Sequence, residues 1–190
     1  MVKRTRMLTT SALLAALVVI LGQFSLRIGN SFKFTLDEIP IYIGALLLGP
    51  VCGTAVGGIG TLISQLLAYG LSPTTPMWML PNIITGLLAG LYAKKQNFKL
   101  SKRQAIFILL FCNLVSTTLN TLFIYIDAHI YGYYTPALIL GMLIPRYLLS
   151  IAKGVVYALV LPPLVERLRT ALKMDSNWAS ARKVKTNDLT

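Results

Sequence analysis

The chain has 190 residues, of which 55% are hydrophobic and only 13% are charged. With a mean hydropathy of +0.68 it is too apolar for an ordinary soluble domain. The net charge of +12 could suit a nucleic-acid-binding protein, but the cations flank apolar segments and do not alternate with aromatic residues along a surface. The composition predicts an integral membrane protein that binds no nucleic acid.

Three clusters hold 14 of the 18 Lys and Arg residues. Positively charged loops of membrane proteins remain in the cytoplasm, so the clusters predict which segments face it. The clusters are Lys3, Arg4 and Arg6; Lys94, Lys95, Lys99, Lys102 and Arg103; and Arg167, Arg169, Lys173, Arg182, Lys183 and Lys185.

Apolar segments follow one another along the chain, and a membrane-spanning helix needs about 20 such residues. The run 39–69 is too long for one helix, and "GPVCG" at 49–53 divides it into helices 2 and 3. The other apolar segments predict helix 1 at about 8–26, helix 4 at about 80–93, helix 5 at about 105–126 and helix 6 at about 137–165.

The predicted fold class is an all-α integral membrane protein, a bundle of six transmembrane helices with both termini cytoplasmic. An even number of spans places every cationic cluster on the same side. Residues 1–172 form this domain, and the polar residues 173–190 predict a disordered cytoplasmic tail. The loops at 27–38, 70–78 and 127–136 are then external.

No enzyme motif, metal-ligand spacing or cofactor motif is found, so we expect no catalytic residues, no metal and no cofactor. Cys52 and Cys112 lie in apolar segments and are predicted to be buried hydrophobic residues. The adjacent Asp37 and Glu38 point about 100° apart on a helix and cannot form a catalytic dyad. They instead predict the start of helix 2, with Thr35 as N-cap and Glu38 completing a capping box.

Two cations lie within helix 6. A charge near the bilayer centre costs at least about 2.5 kcal/mol, so such residues usually face a protein interior or an aqueous cavity. Arg146 and Lys153 are seven residues apart and share one helical face. Either they extend to the membrane surface or pair with Asp127 and Asp37, which is the favoured interpretation for Lys153, or they line a pocket and bind an anionic or carbonyl group.

Further polar and aromatic residues gather toward the external ends of helices 4 to 6. The shared face of Asn113, Thr117 and Asn120 indicates either hydrogen bonds between helices or a cavity wall. An interfacial aromatic belt accounts for most of the aromatic residues. Taken together they predict an externally open pocket roofed by the first loop, with the candidate binding residues Lys33, Trp78, Asn82, Asn113, Asn120, Tyr125, His129, Tyr133 and Arg146.

Helix 1 carries Ala12 and Ala16 four residues apart, a small-residue face that indicates close approach of another helix, either within the bundle or from another subunit. With "LDEIPIYIGALLLGPVCGTAVGGI" and the basic inner loops, about residues 7–172 resemble the S components of energy-coupling factor (ECF) vitamin transporters. The resemblance implies a substrate-binding subunit in the bacterial plasma membrane. It also implies partners, namely a membrane T component contacted by Ala12 and Ala16, and two cytoplasmic ATPases.

The same resemblance implies a subunit that binds its vitamin outside and topples in the membrane to release it inside. Arg146 and Lys33 would suit a carboxylate such as that of pantothenate, "NLVSTTLNTL" is similar to the fifth helix of folate-binding members, and the Asn, Tyr and Trp residues would suit cobalamin. Two other classes stay open: a small secondary transporter without ATPase partners, and a membrane assembly subunit without a small-molecule ligand.

Overall fold

The computed structural model describes residues 2–24, 26–28 and 32–172, and within them the chain forms six α-helices and one two-stranded hairpin. The six-helix prediction is confirmed, whereas the tail predicted at 173–190 lies outside the described residues. The elements in chain order are α1 (Val2–Gln23), β1 (Leu26–Ile28), β2 (Phe32–Phe34), α2 (Glu38–Leu48), α3 (Pro50–Tyr69), α4 (Thr75–Lys95), α5 (Lys102–Ile130) and α6 (Pro136–Ala171).

Four helical segments are long and apolar enough to cross a membrane: Thr5–Gln23, Pro50–Tyr69, Lys102–Ile130 and Leu143–Ala171. Helix α2 has only 11 residues. At a rise of 1.5 Å per residue it is about 16 Å long, roughly half the hydrocarbon thickness. It therefore does not span the membrane alone, although the apolar run that predicted it is correctly divided at Gly49.

The structure corrects the predicted first loop. Helix α1 ends at Gln23, and the next residues form an antiparallel hairpin in which Leu26 pairs with Phe34 and Arg27 with Lys33. Each strand alternates apolar and charged residues, which is the period of a β-strand. That alternation was a sequence signal for the two strands. Three residues per strand are too few to distinguish such a pattern from chance.

The predicted capping box at Thr35 is wrong. Helix α2 begins at Glu38, Asp37 occupies the N-cap position, and no side chain there caps the helix. A capping box does occur before α5, where Gln104 N–H donates to Ser101 Oγ and Ser101 N–H donates to Gln104 Oε1. These bonds carry α5 beyond its predicted start and into the basic loop.

The connections define two ends of the bundle. The hairpin end carries β1, β2 and the turns before α4 and α6. The cationic end carries the turn at Gly49 and the basic loop between α4 and α5. Gly49 has a φ of 93°, a left-handed conformation that suits glycine and lets α2 turn directly into α3.

Helix α2 forms the centre of the bundle and contacts α1, α3, α4 and α6. Helices α3 and α4 approach closely because glycines face each other along both. A Cβ atom placed on Gly86 would lie 2.5 Å from the carbonyl oxygen of Gly53, and one on Gly57 would lie 2.5 Å from that of Asn82. Such backbone contact is typical of membrane helices, and it fixes the position of Asn82.

Candidate functional site

A cavity of about 560 Å³ lies among the helices at the hairpin end, within the range of about 300–1,000 Å³ that is usual for small-molecule sites. The first turn of α2 and all five other helices contribute to its wall. Its charged residues are Asp37, Glu38, Asp127, Arg146 and Lys153; its neutral polar residues are Thr35, Thr61, Ser64, Gln65, Ser72, Thr74, Asn82, Thr117, Asn120 and Ser150; and its aromatic residues are Tyr69, Trp78 and Tyr131.

One ion pair lies in this wall. Lys153 Nζ is 3.1 Å from Glu38 Oε2, and both side chains are nearly buried. Lys153 Nζ also lies 5.6 Å from the centroid of the Tyr157 ring, which packs against Tyr42 in the core. The two charges compensate each other, so this part of the cavity is polar without a large net charge. Pairing of Lys153 was favoured from the sequence, with Asp37 or Asp127 as the expected partner, and the structure shows a salt bridge to Glu38.

Arg146 lines the cavity two helical turns from Lys153, toward the hairpin end. Its side chain is half-buried, and among the described residues its guanidinium forms neither a hydrogen bond nor a salt bridge. A guanidinium carries five donors in a planar fork that matches a carboxylate. The guanidinium can therefore bind an anionic group of a ligand.

Two further carboxylates face the cavity. Asp37 Oδ1 is buried and accepts no hydrogen bond from the described residues. Asp127 accepts a hydrogen bond from the phenol of Tyr133, in the turn before α6. Partial desolvation, followed by this hydrogen bond, raises the pKa of Tyr133 to about 12, so the phenol keeps its proton and remains a donor to Asp127.

Hydrogen bonds fix several neutral groups of the wall. Asn82 Nδ2 donates to Thr61 Oγ1 at 2.7 Å, which joins α4 to α3. Thr117 Oγ donates to Ser150 Oγ at 2.8 Å, and Asn113 Nδ2 donates to the Ser150 carbonyl at 2.6 Å. These bonds join α5 to α6 and fix the position of the two helices relative to each other, so this part of the cavity wall is well defined.

The structure brings together four of the predicted binding residues, namely Trp78, Asn82, Asn120 and Arg146. Asn113 lies outside the lining and is buried between α5 and α6. There it donates a hydrogen bond to α6, which is the first of the two alternatives that the sequence left open for this face. The side chain of Lys33 lies outside the described part of the structure.

The remaining three candidates, Tyr125, His129 and Tyr133, are not part of the cavity lining. Tyr125 and His129 form an exposed aromatic cluster with Tyr134 at the hairpin end, with ring centroids 4.2–5.4 Å apart. Tyr133 contacts the cavity residue Asp127. The cluster agrees with an interfacial aromatic belt, which the sequence offered as the explanation for most of these residues.

Sequence reasoning missed the contribution of α3, which supplies Thr61, Ser64 and Gln65 to the wall. These polar residues sit near the hairpin end of an otherwise apolar helix and share one side of it. That clustering was an available signal, comparable to the one used on α5. Asp37 and Glu38 were noticed but assigned to helix capping, and both line the cavity instead.

Helix α1 presents Ala12 and Ala16 on its exposed side. The opposite side of the helix carries Leu14 and Val18, which are buried in the core. Among the described residues, none covers the small-residue face of Ala12 and Ala16, and such a face allows close approach of another membrane helix.

Comparison with known proteins agrees with this architecture. The family profile described as "ECF transporter, substrate-specific component" matches residues 6–165. Among curated protein sequences no significant match was found.

Two solved structures have similar folds. The S component of a bacterial ECF transporter aligns with a TM-score of 0.65 and 24% identity, covering 90% of this chain and 99% of its own. An S component for biotin from an ECF-type ABC transporter aligns with a TM-score of 0.66 and 21% identity, covering 88% and 93%. Since the family profile covers most of the sequence, this multi-pass membrane protein belongs to the substrate-specific (S) components of ECF transporters.

Proposed function

We propose that this chain captures a water-soluble vitamin in the cavity at the hairpin end and delivers it across the membrane together with a T component and two ATPases. The observation that carries the proposal is a cavity of about 560 Å³ whose wall contains a guanidinium without a partner among the described residues, in a chain of the S-component family. The fold resembles that of an S component for biotin, which supports a vitamin-sized ligand.

Arg146, which has no partner among the described residues, can bind a carboxylate of the ligand, while Asp37 and Asp127 can accept hydrogen bonds from donor groups of the same ligand. Of the classes suggested by the sequence, pantothenate and folate carry such a group. Cobalamin is far larger than either and suits a cavity of this size least. Asn82, Asn120 and the Trp78 ring supply the hydrogen bonds and the apolar surface that orient a small ligand.

The distribution of cations supports an external opening. Five Lys and Arg residues lie in the α4–α5 region, 94–103, and more follow at the end of α6. The positive-inside rule places this cationic end in the cytoplasm, together with both termini. The hairpin end then faces outward, where a vitamin can enter.

Delivery needs partners in this proposal. The exposed Ala12 and Ala16 of α1 form the contact face for the T component, because small residues allow two helices to approach closely. Rotation of the whole bundle in the membrane, driven by ATP hydrolysis in the partner subunits, would then bring the cavity to the cytoplasmic side.

Two measurements test the proposal. The purified full-length chain is denatured and any released ligand is identified by mass spectrometry; we expect one vitamin per chain. Uptake of that vitamin is then measured in cells that lack ECF transporters, with and without co-expressed T component and ATPases. Uptake only with the partners supports the proposal.

Concentrative uptake by this chain alone would overturn the proposal in favour of a secondary transporter. Absence of any small-molecule affinity would favour an assembly subunit. The two alternative classes are therefore separated by the same pair of experiments.

A further inference from the structure

A second depression lies on the outer surface of the bundle, between the cationic-end halves of α4 and α5. Its volume is about 330 Å³. Apolar and aromatic side chains line it, among them Leu88, Leu91, Phe107 and Phe111, and Lys95 is the only charged residue of the lining. We call this depression the α4–α5 groove. It shares no residue with the lining of the cavity at the hairpin end.

The groove opens toward the lipid. Leu91 is 48% exposed, Phe107 63% and Phe111 46%, so much of its wall is uncovered in the folded chain. The rings of Phe107 and Phe111 stack nearly parallel, with centroids 6.3 Å apart and 8° between the planes. Together they form a flat apolar wall of the kind along which a hydrocarbon chain can lie.

Cations surround the end of the groove. Lys94, Lys95, Lys99, Lys102 and Arg103 lie within ten residues that contain no acid. All five are exposed, and in the described part of the chain their side chains form neither salt bridges nor hydrogen bonds. Their charges are therefore available to an anion outside the chain.

The connection between α4 and α5, which carries Lys99 and joins the cations of the two helix ends, has a defined conformation. Asn97 and Phe98 both adopt left-handed backbone angles, with φ of 51° and 58°. Phe98 is nevertheless half-buried, and its side chain packs against the hydrophobic core. This contact positions the backbone next to Lys95, the last residue of α4, whose side chain is part of the groove lining.

We propose that the α4–α5 groove binds one anionic phospholipid, with an acyl chain along Phe107 and Phe111 and the headgroup phosphate at Lys95. An apolar wall with cations at one end complements an amphiphile whose negative charge lies at one end. A basic site beside membrane helices at the bilayer surface is typical of anionic headgroup recognition. The site is independent of vitamin binding, because the two sets of lining residues do not overlap.

The test uses the full-length chain reconstituted with equal amounts of phosphatidylglycerol and phosphatidylcholine, extracted into mild detergent and analysed by native mass spectrometry. We expect one retained phosphatidylglycerol, preferred over phosphatidylcholine by about fivefold or more. Lys95→Gln should abolish the preference. Lys99→Gln is the matched control: it removes the same charge from another exposed residue of the basic region 94–103, outside the groove lining, and should leave retention unchanged.

A second variant tests the apolar part of the site at constant charge. Leu91→Trp adds bulk at a half-exposed position of the groove and should reduce retention of phosphatidylglycerol at least severalfold. Phe111→Ala removes part of the apolar wall instead of filling the groove and should also reduce retention of phosphatidylglycerol. It keeps the test valid if Leu91→Trp does not fold.

Equal loss in Lys95→Gln and Lys99→Gln would overturn the proposal, because it would show diffuse attraction to the loop. Retention unaffected by both Leu91→Trp and Phe111→Ala would also overturn it, because no acyl chain would then lie in the groove. Binding of a purified T component that is lost in Lys95→Gln and Leu91→Trp, with phospholipid retention unchanged, would make the groove a protein contact instead.

Discussion

Glu38, the first residue of α2, and Lys153, in the middle of α6, form a salt bridge of 3.1 Å in the cavity wall. Only 11% and 12% of their side chains are exposed. Removing one member of a buried pair leaves an uncompensated charge, which is far more costly than removing both. The pair therefore joins the short central helix to α6 and shapes the cavity at the same time.

Lys153→Met should destabilise the folded chain by about 3–5 kcal/mol, because Glu38 would keep a charge without its partner. The double variant Glu38→Gln with Lys153→Met should recover much of this loss. Thermal unfolding of the purified variants in detergent measures both effects. Lys102→Met, an exposed lysine at the cationic end, is the control and should change little. If the double variant is no more stable than Lys153→Met, the pair does not compensate buried charge.

Arg146→Gln should weaken binding of a carboxylate-bearing vitamin roughly tenfold to hundredfold, the value of a hydrogen bond to a charged group. Titration calorimetry with the vitamin found in the purified chain measures the change. Arg167→Gln alters an exposed arginine of the same helix, outside the cavity, and should bind like the parent. Unchanged affinity in Arg146→Gln would assign Arg146 a structural role and favour a neutral ligand.

Replacing both Ala12 and Ala16 by Trp should abolish assembly with the T component and uptake, while the isolated chain still binds its vitamin. The reason is that the alanines lie on the exposed side of α1, away from the cavity lining. Co-purification, uptake and calorimetry measure the three properties. Leu17→Trp enlarges another exposed residue of α1 and should leave assembly intact. Loss of vitamin binding in the double Trp variant would show that the alanines pack the fold.

Gly86→Ala should lower stability by about 1–3 kcal/mol, the usual cost of overpacking. The added methyl group would lie 2.5 Å from the carbonyl oxygen of Gly53, so α3 and α4 would have to separate. Gly141→Ala is the matched control, because a Cβ atom there meets nothing within 4 Å. A fall in the thermal midpoint of Gly86→Ala alone is the expected result. Equal midpoints would mean that the two helices separate at no cost.

The sequence predicted the helices well because apolar length and Gly–Pro interruptions are local properties. The break at Gly49 needed only the residues around it. The hairpin and the start of α2 were harder to predict. Strand pairing of Arg27 with Lys33 depends on a turn, and the apparent capping box at Thr35 competes with an ion pair between Glu38 and Lys153 that is distant in sequence.

The candidate site was predictable where polar residues interrupt apolar helices, as at Asn82, Asn120 and Arg146. Helical spacing alone could not show which polar residues face the cavity and which bind a neighbouring helix. Asn113 and Thr117 share a face of α5, yet Asn113 is buried against Ser150 while Thr117 reaches the wall. That difference depends on depth, because Asn113 lies one helical turn, about 6 Å, further from the hairpin end than Thr117, and only the packing decides how deep the cavity reaches.

The shortness of α2 sets the depth at which a ligand rests. Glu38 lies in the cavity wall and α2 reaches the cationic end about 16 Å further on, a distance of roughly half the hydrocarbon layer. A molecule bound beside Glu38 would therefore lie near the middle of the hydrocarbon layer and not at its outer surface.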